Sequence, residues 1–165
     1  MKPALLVIDV QKAWFKDNPV ATAALKDAAE YINAAIELFR KKNLPVICVQ
    51  HLNPEDNVVP GQEGFDLPEI LNVLPTDLHI HKTYGNAFNK TELAEALRQA
   101  GIDTVVLTGF AAEGCVLSTY RGAKDLDLTA IILRNSIVAG KPENAPFVES
   151  INEIISYGAL EKVLE

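Results

Sequence analysis

Cysteine is scarce in this chain of 165 residues: there are two, Cys48 and Cys115, far apart and in no CxxC pair. That scarcity excludes the disulfide framework of a small stapled domain, and each thiol must be judged by its own surroundings. Positive charge is scarce as well, with 15 Lys and Arg against 22 Asp and Glu and a net charge of −7. Nucleic acid is a poor partner for such a chain, because phosphate binding needs a clustered positive surface. The one cationic cluster, Arg40-Lys41-Lys42, falls where the last turn of a helix is expected, and the helix dipole favours cations there. No apolar run approaches the roughly 18 residues that suggest a membrane span. The run after Met1-Lys2-Pro3 ends at Asp9, too short for the apolar region of a signal peptide and without its cleavage site. The expectation is a cytoplasmic protein with no membrane and no nucleic-acid partner.

What is present reads as an ordinary globular domain, 48% hydrophobic and 22% charged. No repeat, low-complexity tract or linker divides it, so one domain over 1–165 is expected. Ala4–Asp9 is a continuous apolar run of the kind found in strands buried on both faces. After a turn at Asn18-Pro19, Leu25, Ala28, Ile32, Ala35, Ile36 and Phe39 recur with helical spacing. Pro45 opens a second strand, Val46–His51. Leu52–Thr76 is rich in Pro, Gly, Asn and acids, with a short helical pattern around Leu67–Leu74, and a loop so long is usually functional.

Leu78–Lys82 alternates like a third strand. Asn89 and Glu92 have capping-box spacing for a helix over Thr91–Ala100, ended by Gly101. Thr104–Thr108 predicts a fourth strand, with a helix from Glu113 or Gly114 to Asp125. Leu128–Leu133 predicts a fifth strand, Phe147–Tyr157 a helix stopped by Gly158, and Ala159–Leu164 a sixth, edge strand. Strands alternating with helices imply a three-layer α/β/α sandwich around a mainly parallel sheet of about six strands. In such sheets ligands bind beyond the carboxyl ends of the strands. Asp9, His51, Lys82 and the Gly109–Cys115 segment all fall there.

Cys115 follows strand four after a turn of mostly small residues and is expected in the first turn of the next helix. A thiol there would feel the positive end of the helix dipole, which favours thiolate. The N–H groups of the same turn could hold an anion, so nucleophile and oxyanion donors would come from one segment. The alternative is a small buried thiol with no chemistry. Asp9, at the end of a buried strand, could take the thiol proton or merely cap a turn. An aspartyl phosphatase would want a second acid at position 11, where Gln11 stands. Lys82 could depress the thiol pKa and stabilise negative charge, or be an ordinary solvated lysine. Phe15, Tyr84, Phe110 and Trp14 are candidates for the wall of a small-molecule pocket, against the alternative of ordinary core packing.

Four stretches resemble the isochorismatase-like cysteine hydrolases, the superfamily that includes nicotinamidases and N-carbamoylsarcosine amidohydrolases. They are LLVIDVQ at Leu5–Gln11, PGQEG at Pro60–Gly64, Lys82 with GNAF at Gly85–Phe88 and TEL at Thr91–Leu93, and TGFAAEGCV at Thr108–Val116. They run through nearly the whole chain in the family's order. The resemblance implies a catalytic triad of Asp9, Lys82 and Cys115. It also implies a cis peptide between Phe110 and Ala111, and an oxyanion hole from the N–H groups of Ala111 and Cys115. A six-stranded parallel sheet and a homodimer or homotetramer are further implications.

Two departures bear on substrate. Nicotinamidases carry an Asp/His metal cluster after the second strand. The equivalent stretch here, Val49–Pro54, has His51 but no matching Asp, and His79 with His81 make too few ligands for a zinc site. No metal and no other cofactor is expected. Ala112 replaces the family's usual Thr. The branch that cleaves a vinyl ether does not need the cysteine, so Cys115 favours an amide or related C–N bond in a small molecule. A cysteine-independent vinyl-ether hydrolase and a redox-sensing binding scaffold are the alternatives.

Overall fold

β1 (Pro3–Ile8) is buried along its whole length because it has neighbours on both sides and helices on both faces. In this computed structural model, which describes residues 1–165, its side chains alternate between two apolar clusters. Ala4, Leu6 and Ile8 enter one, Leu5 and Val7 the other. The remaining strands are β2 (Val46–His51), β3 (Leu78–Lys82), β4 (Thr104–Phe110), β5 (Thr129–Val138) and β6 (Ile154–Ile155). They form one sheet in the order β3-β2-β1-β4-β5-β6, every pair parallel. The order reverses direction at β1, so the β1–β4 boundary is where a doubly wound sheet opens a crevice at its carboxyl edge.

α1 (Pro19–Lys41) and α5 (Tyr157–Val163) cover one face, α1 through Leu25, Ile32, Ile36 and Phe39, α5 through Leu160. α2 (Leu93–Gln99), α3 (Leu117–Asp125) and α4 (Asn144–Ser150) cover the other through Leu93, Leu97, Tyr120 and Val148. The three layers are those expected from the sequence. No helix is long and apolar enough to cross a membrane.

The C-terminal elements differ from expectation. Strand and helix exchange places: β6 is Ile154–Ile155, and Ala159–Leu164 belongs to α5 and its cap rather than to an edge strand. The β-branched pair Ile154-Ile155 lies beside Ile132 and Leu133, while Leu160 and Leu164, four apart, turn one stripe toward the α1 face. Ser156 caps α5 by accepting from Ala159 N–H at 3.3 Å, so Gly158 lies inside a helix instead of ending one.

The expected capping box before α2 does not form. Lys90 is left-handed, and Thr91 Oγ1 accepts from Leu93 N–H at 3.3 Å in place of Asn89. The helical pattern around Leu67–Leu74 yields no helix. The carbonyls of Ile70 and Asn72 are bonded by Asn33 Nδ2 and Arg40 Nη1 of α1, both at 2.8 Å. Short 3₁₀ turns stand instead at Pro54–Asp56 and Glu63–Phe65. Further bonds, from Lys12 N–H to Asp66 O at 2.9 Å and from Gln50 Nε2 to Phe65 O at 3.0 Å, pin the long loop against the sheet edge.

Candidate active site

Four side chains meet past the carboxyl ends of β1, β2, β3 and β4. Asp9 follows β1 with a left-handed backbone (φ 50°), a conformation short polar residues tolerate, and its N–H is held by Val49 O at 2.8 Å. Lys82 ends β3, opposite His51 at the end of β2. Cys115 lies beyond β4. Gly109 makes this approach possible: at φ 115° a Cβ there would lie 2.1 Å from Ile8 O.

Lys82 is buried, and its ammonium is the hub. Nζ stands 2.7 Å from Asp9 Oδ2, 2.9 Å from His51 Nδ1 and 3.2 Å from Cys115 Sγ. An ammonium has three protons and there are three acceptors, although the Asp9 contact is an ion pair rather than an aligned hydrogen bond. Asp9 Oδ1 is buried with no donor at all. His51 Nδ1 must accept from Lys82, which places the imidazole proton on Nε2. Burial and the neighbouring ammonium both lower the His51 pKa, opposed by Asp9, so the ring is neutral at pH 7.

The segment carrying Cys115 is not the first turn of an ordinary α-helix. Ala112–Val116 forms a wide, π-type turn before α3, broken at Gly114, whose backbone is non-helical. The dipole argument for a depressed thiol pKa therefore does not hold. Burial pushes the Cys115 thiol up to about 11, with Asp9 adding to the rise and Lys82 opposing it. Burial likewise raises the Asp9 carboxyl, restrained by Lys82. Cys48 is buried inside β2, and its thiol is pushed higher still.

The peptide between Phe110 and Ala111 is cis. Ala111 N–H finds no acceptor in the protein, while Ala111 O takes Gly114 N–H at 2.9 Å and Val116 N–H at 3.2 Å. The turn is fastened from outside by Glu113. Its Oε1 accepts from Gly140 N–H (2.9 Å), Lys141 N–H (3.2 Å) and Asn144 Nδ2 (3.0 Å).

Supporting contacts explain motifs that sequence reasoning left without a role. Gln11 closes the gap between β1 and β2, with Nε2 donating to His51 O and Oε1 accepting from His51 N–H. GNAF docks the loop after Lys82 onto α3. Thr119 Oγ1 accepts from Ala87 N–H at 3.0 Å, and Asn86 packs where Gly122 leaves room. The order of α3 is thereby linked to the position of Lys82.

Of the aromatic candidates, Phe15 and Phe110 pack together with ring centres 5.2 Å apart, and Trp14 meets the His51 ring edge-on at 6.3 Å. Tyr84 is 42% exposed, and its hydroxyl accepts from Lys90. A cavity of about 870 Å³, lined by Phe15 and by Lys12, Lys16, Lys26 and the long loop, includes none of Asp9, Lys82 or Cys115.

A metal cluster of the nicotinamidase kind does not fit the residues after β2. Both His79 ring nitrogens face protein oxygens, Nδ1 at 3.1 Å from Gln50 Oε1 and Nε2 at 3.0 Å from Leu74 O, and His81 packs edge-on against Phe65.

The isochorismatase domain matches residues 3–156. The uncharacterized isochorismatase family protein YrdC of Bacillus subtilis is 34% identical over 140 residues, 84% of this chain and 74% of that protein. The ureidoacrylate amidohydrolase RutB of Caulobacter vibrioides is 32% identical over 83 residues, 50% of this chain and 37% of RutB. The crystal structure of N-carbamoylsarcosine amidase from Thermoplasma acidophilum superposes with a TM-score of 0.80 at 26% identity, covering 94% of this chain and 95% of that one. This chain belongs to the isochorismatase family of hydrolases.

Proposed function

We propose that this protein is a cysteine hydrolase that cleaves an amide or ureido C–N bond of a small molecule, with Cys115 as nucleophile, Asp9 as proton acceptor and donor, and Lys82 as their electrostatic partner. The observation that carries this reading is the Lys82 ammonium within bonding reach of both the Asp9 carboxylate and the Cys115 sulfur. Two relatives with assigned activities, a ureidoacrylate amidohydrolase and an N-carbamoylsarcosine amidase, act by their names on ureido compounds, which supports that substrate class.

The raised thiol pKa means that the resting nucleophile carries its proton. Asp9 accepts that proton as sulfur attacks the substrate carbonyl, so charge separates only when a carbonyl is present to receive it. The Lys82 ammonium offsets the negative charge as it leaves the carboxylate for the substrate oxygen. The new oxyanion rests on the N–H of Ala111, which has no protein acceptor, and on that of Cys115. Protonated Asp9 returns its proton to the departing nitrogen, which leaves as amine or ammonia. A water that gives its proton to Asp9 attacks the thioester; sulfur leaves and recovers the proton, restoring the thiol. Phe15, Phe110 and Trp14 supply apolar walls for a small substrate, with Tyr84 at the rim. As in the resemblance read from the sequence, the working unit is a homodimer or homotetramer.

The test is intact-mass spectrometry of enzyme quenched during turnover of a panel of amides and N-carbamoyl compounds. A mass increment equal to the substrate's acyl or carbamoyl group, located on the Cys115 peptide, is expected. Turnover with the adduct on another residue, or with Cys115 blocked, would overturn the assignment.

A further inference from the structure

Three lone-pair donors of different chemistry converge on one buried cation. Asp9 Oδ2, His51 Nδ1 and Cys115 Sγ surround Lys82 Nζ at 2.7, 2.9 and 3.2 Å, and the three residues offer ligand atoms within 4.8 Å of one another. A carboxylate oxygen, an imidazole nitrogen and a sulfur form a ligand set suited to Zn²⁺ or Co²⁺. Asp9 is 2% exposed, and its Oδ1 has no donor, so the carboxylate keeps lone pairs that no protein group uses. The Lys82 side chain is 0% exposed and fills the place a metal would take.

We infer that Asp9, His51 and Cys115 form a latent metal site that the Lys82 ammonium keeps closed. The geometry needs little change to accept a metal. Zinc bonds of about 2.0–2.3 Å would draw each ligand inward by less than about 1 Å from its distance to the ammonium nitrogen. All three residues stand at or beyond strand ends, where side-chain rotation alone can supply much of that movement. Binding exchanges one proton for one metal ion: the Cys115 S–H bond breaks, its proton goes to solvent, sulfur binds as thiolate, and a water takes the fourth position. No electrons are transferred. Dication and ammonium cannot share one buried point, because like charges in a dry site repel strongly. Lys82 thus keeps the thiol free in a cell that contains zinc. This inference rests on the ligand geometry alone and stands whatever bond the site cleaves. Of its three ligands only His51 lies in the stretch equivalent to the Asp/His cluster of nicotinamidases; Asp9 and Cys115 lie outside it.

The experiment is a Co²⁺ titration of wild type, Lys82→Ala, Lys82→Gln and the double variant Lys82→Ala/Cys115→Ala, with folding checked by circular dichroism. Thiolate-to-cobalt charge-transfer absorption is the readout. Both single variants are expected to bind one Co²⁺ with this absorption, at least about a hundredfold tighter than wild type. The double variant should lack the band. Three results would overturn the inference: a folded single variant with no band, a band that survives loss of Cys115, or equal affinity in wild type. Alkylation of wild-type Cys115 by iodoacetamide is an independent arm that needs no substitution of Lys82. Micromolar Zn²⁺ should give no protection there, and protection would show that Lys82 does not close the site.

Discussion

Gln11 holds both backbone polar groups of His51, donating from Nε2 to the carbonyl at 3.0 Å and accepting from the N–H at 2.7 Å. A fully buried side chain at the end of β1 thereby sets where β2 ends, and with it the ring that accepts from Lys82.

Gln11→Ala should leave His51 N–H and C=O without these partners, at about 1–3 kcal/mol for each group that stays buried and unpaired. Urea denaturation measures the stability loss. Turnover should fall with it even at saturating substrate, because the displaced His51 no longer orients Lys82. A variant with wild-type stability and turnover would show that this pair has no positioning role.

The Cys115 thiol is raised to about 11, so the fraction present as thiolate at pH 7 is on the order of one in ten thousand. Its alkylation by iodoacetamide should be slow at neutral pH and rise about tenfold per pH unit towards that value. Removing the opposing ammonium in Lys82→Ala should slow alkylation further at any given pH in metal-free buffer. A rate that levels off near pH 7 would mean that a standing thiolate, not the thiol, is the resting form.

Glu113 fastens the turn that carries Cys115 to the segment after β5. Burial raises its carboxyl pKa, but the bonds from Asn144, Lys141 and Gly140 outweigh this and hold it below the ordinary value. A depressed carboxyl stabilises the fold above its unfolded pKa, and the contribution disappears as pH falls through the folded value. Thermal melts from pH 6 down to pH 3 should show this acid sensitivity in wild type and less of it in Glu113→Gln. Glu113→Ala should lower kcat more than it raises KM, since the loosened turn misplaces Ala111 N–H and Cys115 rather than the binding surface.

The meeting of the candidate residues at one sheet edge was more legible in the sequence than the edges of the fold. Asp9, Lys82 and Cys115 could be grouped because parallel strands buried on both faces are long apolar runs, and residues just past such runs share one edge of the sheet. The C-terminal elements depart from the sequence pattern because Ile154-Ile155 is too short to show alternation, and its strand character comes from the neighbouring Ile132 and Leu133. The non-helical backbone at Gly114 was equally hidden, since a glycine after Glu113 is compatible with an ordinary helix start. It removes the dipole that would favour thiolate, while burial and the Asp9 charge raise the Cys115 pKa. His51 and Gln11 were visible as residues, but their link runs through backbone atoms, which carry no sequence signature.

The central claim is that Cys115 performs the chemistry. The most direct test compares wild type and Cys115→Ala on a panel of amides and N-carbamoyl compounds, measuring release of ammonia or amine. Wild type should consume at least one compound and Cys115→Ala none, with the variant's circular dichroism and melting curve showing it folded. Wild-type rates in Cys115→Ala would contradict the account.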